Sequence, residues 1–201
     1  FESKQLYNTI REYTEQIKRF NNQLHSLKLL PVPSKDTIKS LEKVKKQLEK
    51  EIEILEVKLQ AMLEQWQPAQ LKSVGSIKGI GKRATAMLIV FTQGFKYTHS
   101  HRQLISFAGL SPTEYSSGSS IHGKSRIYKR GGKNLRDVLY MCSMNAIKTN
   151  TACKTLYERL RANGKTGKQA LIAVCNKLLK QVFAVVKNNS LYQPNYCSAK
   201  P

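Results

Sequence analysis

Leu6, Ile10, Tyr13, Ile17, Phe20, Leu24 and Leu27 step by 4, 3, 4, 3, 4 and 3 residues, a spacing that lays one apolar seam along a supercoiled helix. Pro31 and Pro33 in LLPVPSKDT then remove backbone donors and forbid continuation, while Ser34, Asp36 or Thr37 can cap a new helix. Leu48, Ile52, Leu55, Leu59, Met62 and Trp66 resume the spacing, led in by Ile38 and Leu41, and Pro68 ends this second helix. Residues 1–67 are therefore expected to form an antiparallel coiled-coil hairpin that mediates assembly, its seam satisfied internally or shared with a second copy. The chain opens on Phe1, with the heptad running within a few residues of it, so a further N-terminal domain is expected ahead of it.

Charge separates this hairpin from the remainder of the chain. Residues 1–66 carry 12 basic and 10 acidic side chains, a net of +2, whereas residues 67–201 carry 22 basic and 3 acidic, a net of +19. A balanced segment beside a strongly basic one points to a polyanionic partner for the second part, with nucleic acid the leading candidate. Its only carboxylates are Glu114, Asp137 and Glu158, too few for two-metal nuclease or polymerase chemistry, which needs several converging on paired cations. With 40% hydrophobic residues in 201, the chain is too apolar for a disordered basic tail.

The stretch LKSVGSIKGIGKRATAMLIVF, residues 71–91, reads as a helix-hairpin-helix. Leu71, Val74 and Ile77 share one helical face, Gly79 and Gly81 allow a tight turn, and Ala84, Ala86, Leu88 and Ile89 begin a second helix. Backbone N–H groups at that second start can bind a phosphate, with Lys78, Lys82 and Arg83 adding charge. The plainer alternative is an ordinary glycine turn between packed helices. Thr98 or Ser100 is placed to cap a helix through Ala108.

From 109 to 136 the sequence GLSPTEYSSGSSIHGKSRIYKRGGKNLR is rich in Gly and Ser, and reads as a loop or a loosely paired ribbon. Its last thirteen residues hold Lys124, Arg126, Lys129, Arg130, Lys133 and Arg136 with no acid. Hydroxyls beside cations suit phosphoryl transfer without metal, in which a side-chain oxygen attacks a phosphodiester while guanidinium groups stabilise the non-bridging oxygens. On spacing alone they favour an inert phosphate-gripping loop, which uses similar hydroxyl and cationic groups. A serine here is the candidate nucleophile, with Tyr115, Tyr128 and Tyr140 as rivals.

Three more helices are expected: 134–149, 151–162 and an apolar core helix at 167–187, with Thr151 and Thr166 at N-cap positions. The basic domain thus spans 68–190, with a tail at 191–201. Cys142, Cys153, Cys175 and Cys197 are 11, 22 and 22 positions apart, unlike a zinc knuckle or a CxxC redox pair, and are expected to be buried thiols. The histidines have no acidic neighbours to complete a metal set, and Lys or Asn interrupts each apolar stretch. No metal site, no membrane span and a reducing cytoplasmic setting are expected.

Taken together, SIKGIGKRATAMLI, FAGLSPTEYSSGSSIHGKSRIYKRGGKNLR and LYMCSMNA resemble the C-terminal domain of the DEDD-type insertion-sequence transposases, relatives of the Piv DNA invertases. The resemblance covers about 71–187, and the hairpin is similar to that family's coiled-coil segment. It implies that Ser117, with Gly118 after it, is the serine that attaches covalently to DNA, with Ser116 the alternative register. It also implies a guide non-coding RNA as a second partner beside DNA. The family's Mg²⁺-binding acidic residues lie in an N-terminal RuvC-like domain that nothing here matches, so the expectation is DNA strand exchange only when that domain is supplied. The rival readings are a non-catalytic helix-hairpin-helix DNA-binding protein and an RNA-binding or ribosome-associated factor.

Overall fold

The structure, a computed structural model, describes residues 2–113, 116–117, 121–122, 126–127 and 132–194. Eight helices and four two-residue strand segments account for the described secondary structure. The chain divides into two compact units, residues 1–66 and 67–201.

In the first unit α1 (Glu2–Lys28) and α2 (Lys35–Trp66) pack on each other as a hairpin. Ile10 and Leu24 of α1 and Ile52 and Leu59 of α2 are buried, and the other seam residues from Leu6 to Met62 are half-buried. Between Leu41 and Leu48 the seam position is Lys45, also half-buried, its ammonium 3.8 Å from Glu49. Its aliphatic stem covers apolar surface while the charge reaches outward. The seam does not extend to the expected end, since Trp66 is 46% exposed. Ser34 accepts from the Thr37 N–H at the start of α2, and Lys28 meets Glu42 at 3.8 Å across the turn, an exposed pair worth at most about 1 kcal/mol.

The second unit holds α3 (Pro68–Gly75), α4 (Lys82–Phe91), α5 (His101–Phe107), α6 (Lys133–Thr149), α7 (Thr151–Ala162) and α8 (Gly167–Lys187). Pro68 stands at the start of α3, where its missing N–H costs nothing. Ser100 caps α5 through a reciprocal capping box with Gln103, as Thr166 caps α8 with Gln169. At α7 the expected cap at Thr151 is corrected: Asn150 holds that position, its side chain accepting from the Cys153 N–H.

Helices α3, α5, α6 and α7 all pack on α8, which buries Ala170, Leu171, Val174, Cys175, Leu178, Leu179, Val182 and Val185. By length and composition alone α8 could cross a membrane, contrary to the expectation that no segment would qualify. Its apolar residues are instead the core on which the other helices pack.

The Gly/Ser-rich stretch contains β1 (Pro112–Thr113), β2 (Ser116–Ser117), β3 (Ile121–His122) and β4 (Arg126–Ile127). Strand β1 pairs antiparallel with β4, and β2 with β3. Pro112 faces Ile127 in the outer ladder and Ser116 faces His122 in the inner one, so the registers differ by one residue. Three residues separate β3 from β4 where two separate β1 from β2.

Candidate nucleic-acid interface

The turn between α3 and α4 is built from both sides. Ile77 and Ile80 are buried and anchor it, with the Ile80 N–H donating to the Ile77 carbonyl at 3.1 Å. Gly79 lies between them at φ +101°, and a Cβ there would fall 2.6 Å from the Cβ of Ala146 and 2.7 Å from its Cα. Only glycine meets both conditions, one conformational and one steric. The backbone of the turn therefore rests directly on α6.

Gly81 is different. Its φ of −88° is open to any residue, and a Cβ there would meet nothing within 4 Å. It is the N-cap of α4, with no side-chain cap. An α-helix leaves its first N–H groups without intrahelical acceptors, and here they belong to Lys82, Arg83 and Ala84. Lys78, Gly81, Lys82 and Arg83 are all exposed. The arrangement offers backbone donors, positive helix-end potential and exposed cationic residues, which suits a phosphate and reads no base.

The residue that organises this turn, Asn150, escaped the sequence reading. It is 1% exposed. Its Nδ2 donates to the Lys78 carbonyl at 3.1 Å and to Gln181 Oε1 at 3.0 Å, while its Oδ1 accepts from the Tyr192 hydroxyl at 2.9 Å. Tyr192, within the expected tail, also donates its backbone N–H to Ser76 Oγ at 2.8 Å. The only available signal was Asn directly before a helix, an ordinary cap pattern.

Of the cationic cluster, Lys133 is exposed on the first turn of α6. Arg136 is partly buried and donates to the Ala108 carbonyl at 3.3 Å, beyond the end of α5. That bond gives Arg136 a structural task beside any contact with phosphate. Ala146 lies thirteen positions after Lys133 along α6, about 20 Å at 1.5 Å per residue. The turn and the base of the ribbon thus lie towards opposite ends of one helix, a span of about six base-pair steps.

Ser117 closes the inner ladder opposite Ile121, and Ser116 stands opposite His122. Arg126 is on β4 opposite Thr113. Gly118, Lys124, Lys129 and Arg130, with the rivals Tyr115 and Tyr128, lie outside the described residues. Tyr140 is within α6, half-buried, its carbonyl accepting from Ser143 Oγ at 2.6 Å.

The described cysteines Cys142, Cys153 and Cys175 are buried free thiols. Burial pushes Cys153 and Cys175 up to about 11. Burial raises Cys142 as well, against the lowering effect of the Gly81 N–H beside it. None is a thiolate at neutral pH, so none is an activated nucleophile. Among the described residues no three His, Cys, Asp or Glu side chains converge as a metal-binding group.

Residues 71–158, from α3 through the ribbon into α7, match the family described as transposase IS116/IS110/IS902. Over that stretch, 88 of the 201 residues, the chain is similar to that transposase family. Among its relatives, an insertion element IS110 uncharacterized 43.6 kDa protein of Streptomyces coelicolor is 31% identical over 139 residues, covering 69% of this chain and 34% of that protein. A pilin gene-inverting protein of Moraxella lacunata is 36% identical over 117 residues, covering 58% of this chain and 36% of that one. An insertion element IS900 uncharacterized 42 kDa protein of Mycobacterium paratuberculosis is 29% identical over 92 residues, 46% of this chain and 23% of that one. The chain thus spans about a third or less of these relatives' lengths. Both the α3–α4 turn and the ribbon fall inside the transposase match, while α8 and Tyr192 lie beyond it.

Proposed function

We propose that this chain is the DNA-handling part of a transposase or invertase, in which the α3–α4 turn grips backbone phosphates and the ribbon presents Ser117 as nucleophile. The observation that carries the reading is the uncapped, exposed start of α4, with Gly81 open in front of it and Lys82 and Arg83 on its first turn, inside the transposase match. Ser117 Oγ attacks a phosphodiester, the bond from phosphorus to the 3′ or 5′ oxygen of the leaving strand breaks, and the serine proton ends on that oxygen as the serine–phosphate ester forms. Lys124, Arg126, Lys129, Arg130 and Lys133 neutralise the phosphate oxygens. With carboxylates this sparse, the chain binds nucleic acid but does not exchange strands until an acidic RuvC-like domain joins it.

A guide non-coding RNA is a second partner in this reading, and the net of +19 over residues 67–201 is supported by having two polyanions to hold. The hairpin holds copies of the chain together. Val44, Ile54 and Val57 of α2 are exposed outside its internal seam, which supports a second contact there.

Binding of a fluorescent duplex by the 201-residue chain across a salt series tests the reading. Each phosphate contact contributes about 0.9 to the slope of log affinity against log salt. The Lys82→Ala/Arg83→Ala variant is expected to lower that slope by about two. An unchanged slope and affinity would remove the turn from the interface, and much tighter binding to structured RNA than to duplex DNA at matched salt would favour an RNA-binding factor.

A further inference from the structure

We propose that Asn150, Gln181 and Tyr192 form a clasp that fixes the α3–α4 turn in its phosphate-gripping conformation, which makes the strap at 190–194 a positioning element for nucleic-acid binding. The inference rests on the reading of that turn as a backbone-binding element.

Two points of the turn are held from outside it, and they flank Ile77. Ser76 Oγ accepts the Tyr192 N–H at 2.8 Å and itself donates to the Ser73 carbonyl at 2.7 Å. The Lys78 carbonyl accepts from Asn150 Nδ2 at 3.1 Å. Those partners are 116 and 72 residues away in sequence, so the local chain does not dictate the turn by itself. Behind the contact Asn150 is over-determined. Its amide gives one hydrogen to Gln181 Oε1 at 3.0 Å, and its oxygen takes the Tyr192 hydroxyl at 2.9 Å and the Cys153 N–H at 3.3 Å. Gln181 Nε2 donates to the same hydroxyl at 3.4 Å.

The network has a direction. Oδ1 faces donors and Nδ2 faces acceptors, so a flipped amide would set oxygen against the Lys78 carbonyl. A buried polar network satisfied in only one arrangement selects that arrangement. Immediately after Lys78 come Gly79, pressed on Ala146, and Gly81, which opens α4. Fixing the Lys78 carbonyl therefore fixes the peptide planes that lead into the N–H groups of Lys82 and Arg83. The strap acts on the interface without touching nucleic acid.

Asn150→Asp keeps an acceptor for the Cys153 N–H and for Tyr192, and so keeps the α7 cap, but loses the donor to Lys78. Tyr192→Phe deletes one hydroxyl from the half-buried residue of an otherwise exposed strap and is expected to leave the fold standing, so it decides the matter should the aspartate variant not fold. Both are compared with the unaltered chain in anisotropy titrations of a labelled duplex across a salt series, with helical circular dichroism and thermal melting as the control on folding. The expected result for Asn150→Asp is about tenfold weaker binding and a salt slope lower by about one phosphate's worth in a protein that remains helical at the assay temperature. Tyr192→Phe should shift both quantities in the same direction by less. In a Lys82→Ala/Arg83→Ala background, which removes two cations but keeps the backbone N–H groups that the clasp positions, both changes should still weaken binding.

Unchanged affinity and slope in both variants, while Lys82→Ala/Arg83→Ala still weakens binding, overturns the clasp and leaves the turn reading intact. Loss of the effect of both changes in the Lys82→Ala/Arg83→Ala background also overturns it, since the clasp would then not act through the backbone N–H groups that remain there. If Lys82→Ala/Arg83→Ala itself has no effect, the turn reading falls and takes the clasp with it.

Discussion

Gly79 and Ala146 meet so closely that a Cβ on the glycine would lie 2.6 Å from the alanine Cβ. This contact seats the α3–α4 turn on α6 and separates the roles of the two glycines in GIG. Gly79→Ala must distort a φ of +101° and push two backbones apart, so it is expected to destabilise the protein by about 1–3 kcal/mol. A thermal or urea melt reads this directly. Gly79→Ala with the stability of the unaltered chain would mean that the turn does not rest on α6.

Gly81→Ala should behave in the opposite way. With φ at −88° and nothing within 4 Å of a new Cβ, folding tolerates it at a cost below about 1 kcal/mol, while the methyl group obstructs close approach of a phosphate. The expected outcome is a nearly unchanged melt and weaker duplex binding, measured by anisotropy. Equal binding by the two proteins would show that no ligand backbone comes up to this position.

Arg136 and Lys133 separate structural from ligand-facing charge at the start of α6. Arg136→Ala forfeits the bond to the Ala108 carbonyl and is expected to cost about 1 kcal/mol in stability. Lys133→Ala, exposed, should leave the melt unchanged and lower the salt slope of binding by about one. A reversed pattern would exchange their roles.

The buried thiols set an alkaline limit. Burial raises Cys153 and Cys175 from 9.0 to about 11, so above pH 9 the unfolded chain releases protons that the folded chain keeps. Unfolding is then favoured as pH rises, with stability complete below about pH 9 and falling progressively towards pH 11. Native protein at neutral pH should resist a thiol reagent at Cys142, Cys153 and Cys175 and react after denaturation. Melts at pH 8, 9 and 10 and mass spectrometry of the alkylated protein check both statements, and rapid native labelling of Cys153 or Cys175 would contradict the burial.

Much of the helical architecture was legible because long apolar periods leave little choice. Helix α8 begins and ends where Leu171 to Val186 predict, and the seam from Leu6 to Leu59 reads directly from its heptads. The pattern misled at its edges. Lys45 occupies a seam position that a search for apolar residues skips, and Trp66 keeps the spacing yet is exposed, since packing near a helix end depends on what lies beside it. Two-residue ladders such as Ser116–Ser117 with Ile121–His122 are too short to show an alternation. The Asn150 network was invisible for another reason: its bonds join residues 31, 42 and 72 positions apart, and nothing local announces them. Charge and the Gly–Ile–Gly spacing located the candidate site, while the contacts that shape it come from the other end of the domain.

The most direct test of the account is a covalent-adduct assay. The chain is incubated with the RuvC-like domain and guide RNA proposed as its partners and with labelled target DNA, and run on a denaturing gel beside Ser117→Ala and Ser116→Ala variants. The account predicts a denaturation-resistant protein–DNA band that Ser117→Ala abolishes and Ser116→Ala retains. A band that survives Ser117→Ala, or no band where DNA binding is demonstrated in the same mixture, would contradict the assignment of Ser117 as nucleophile.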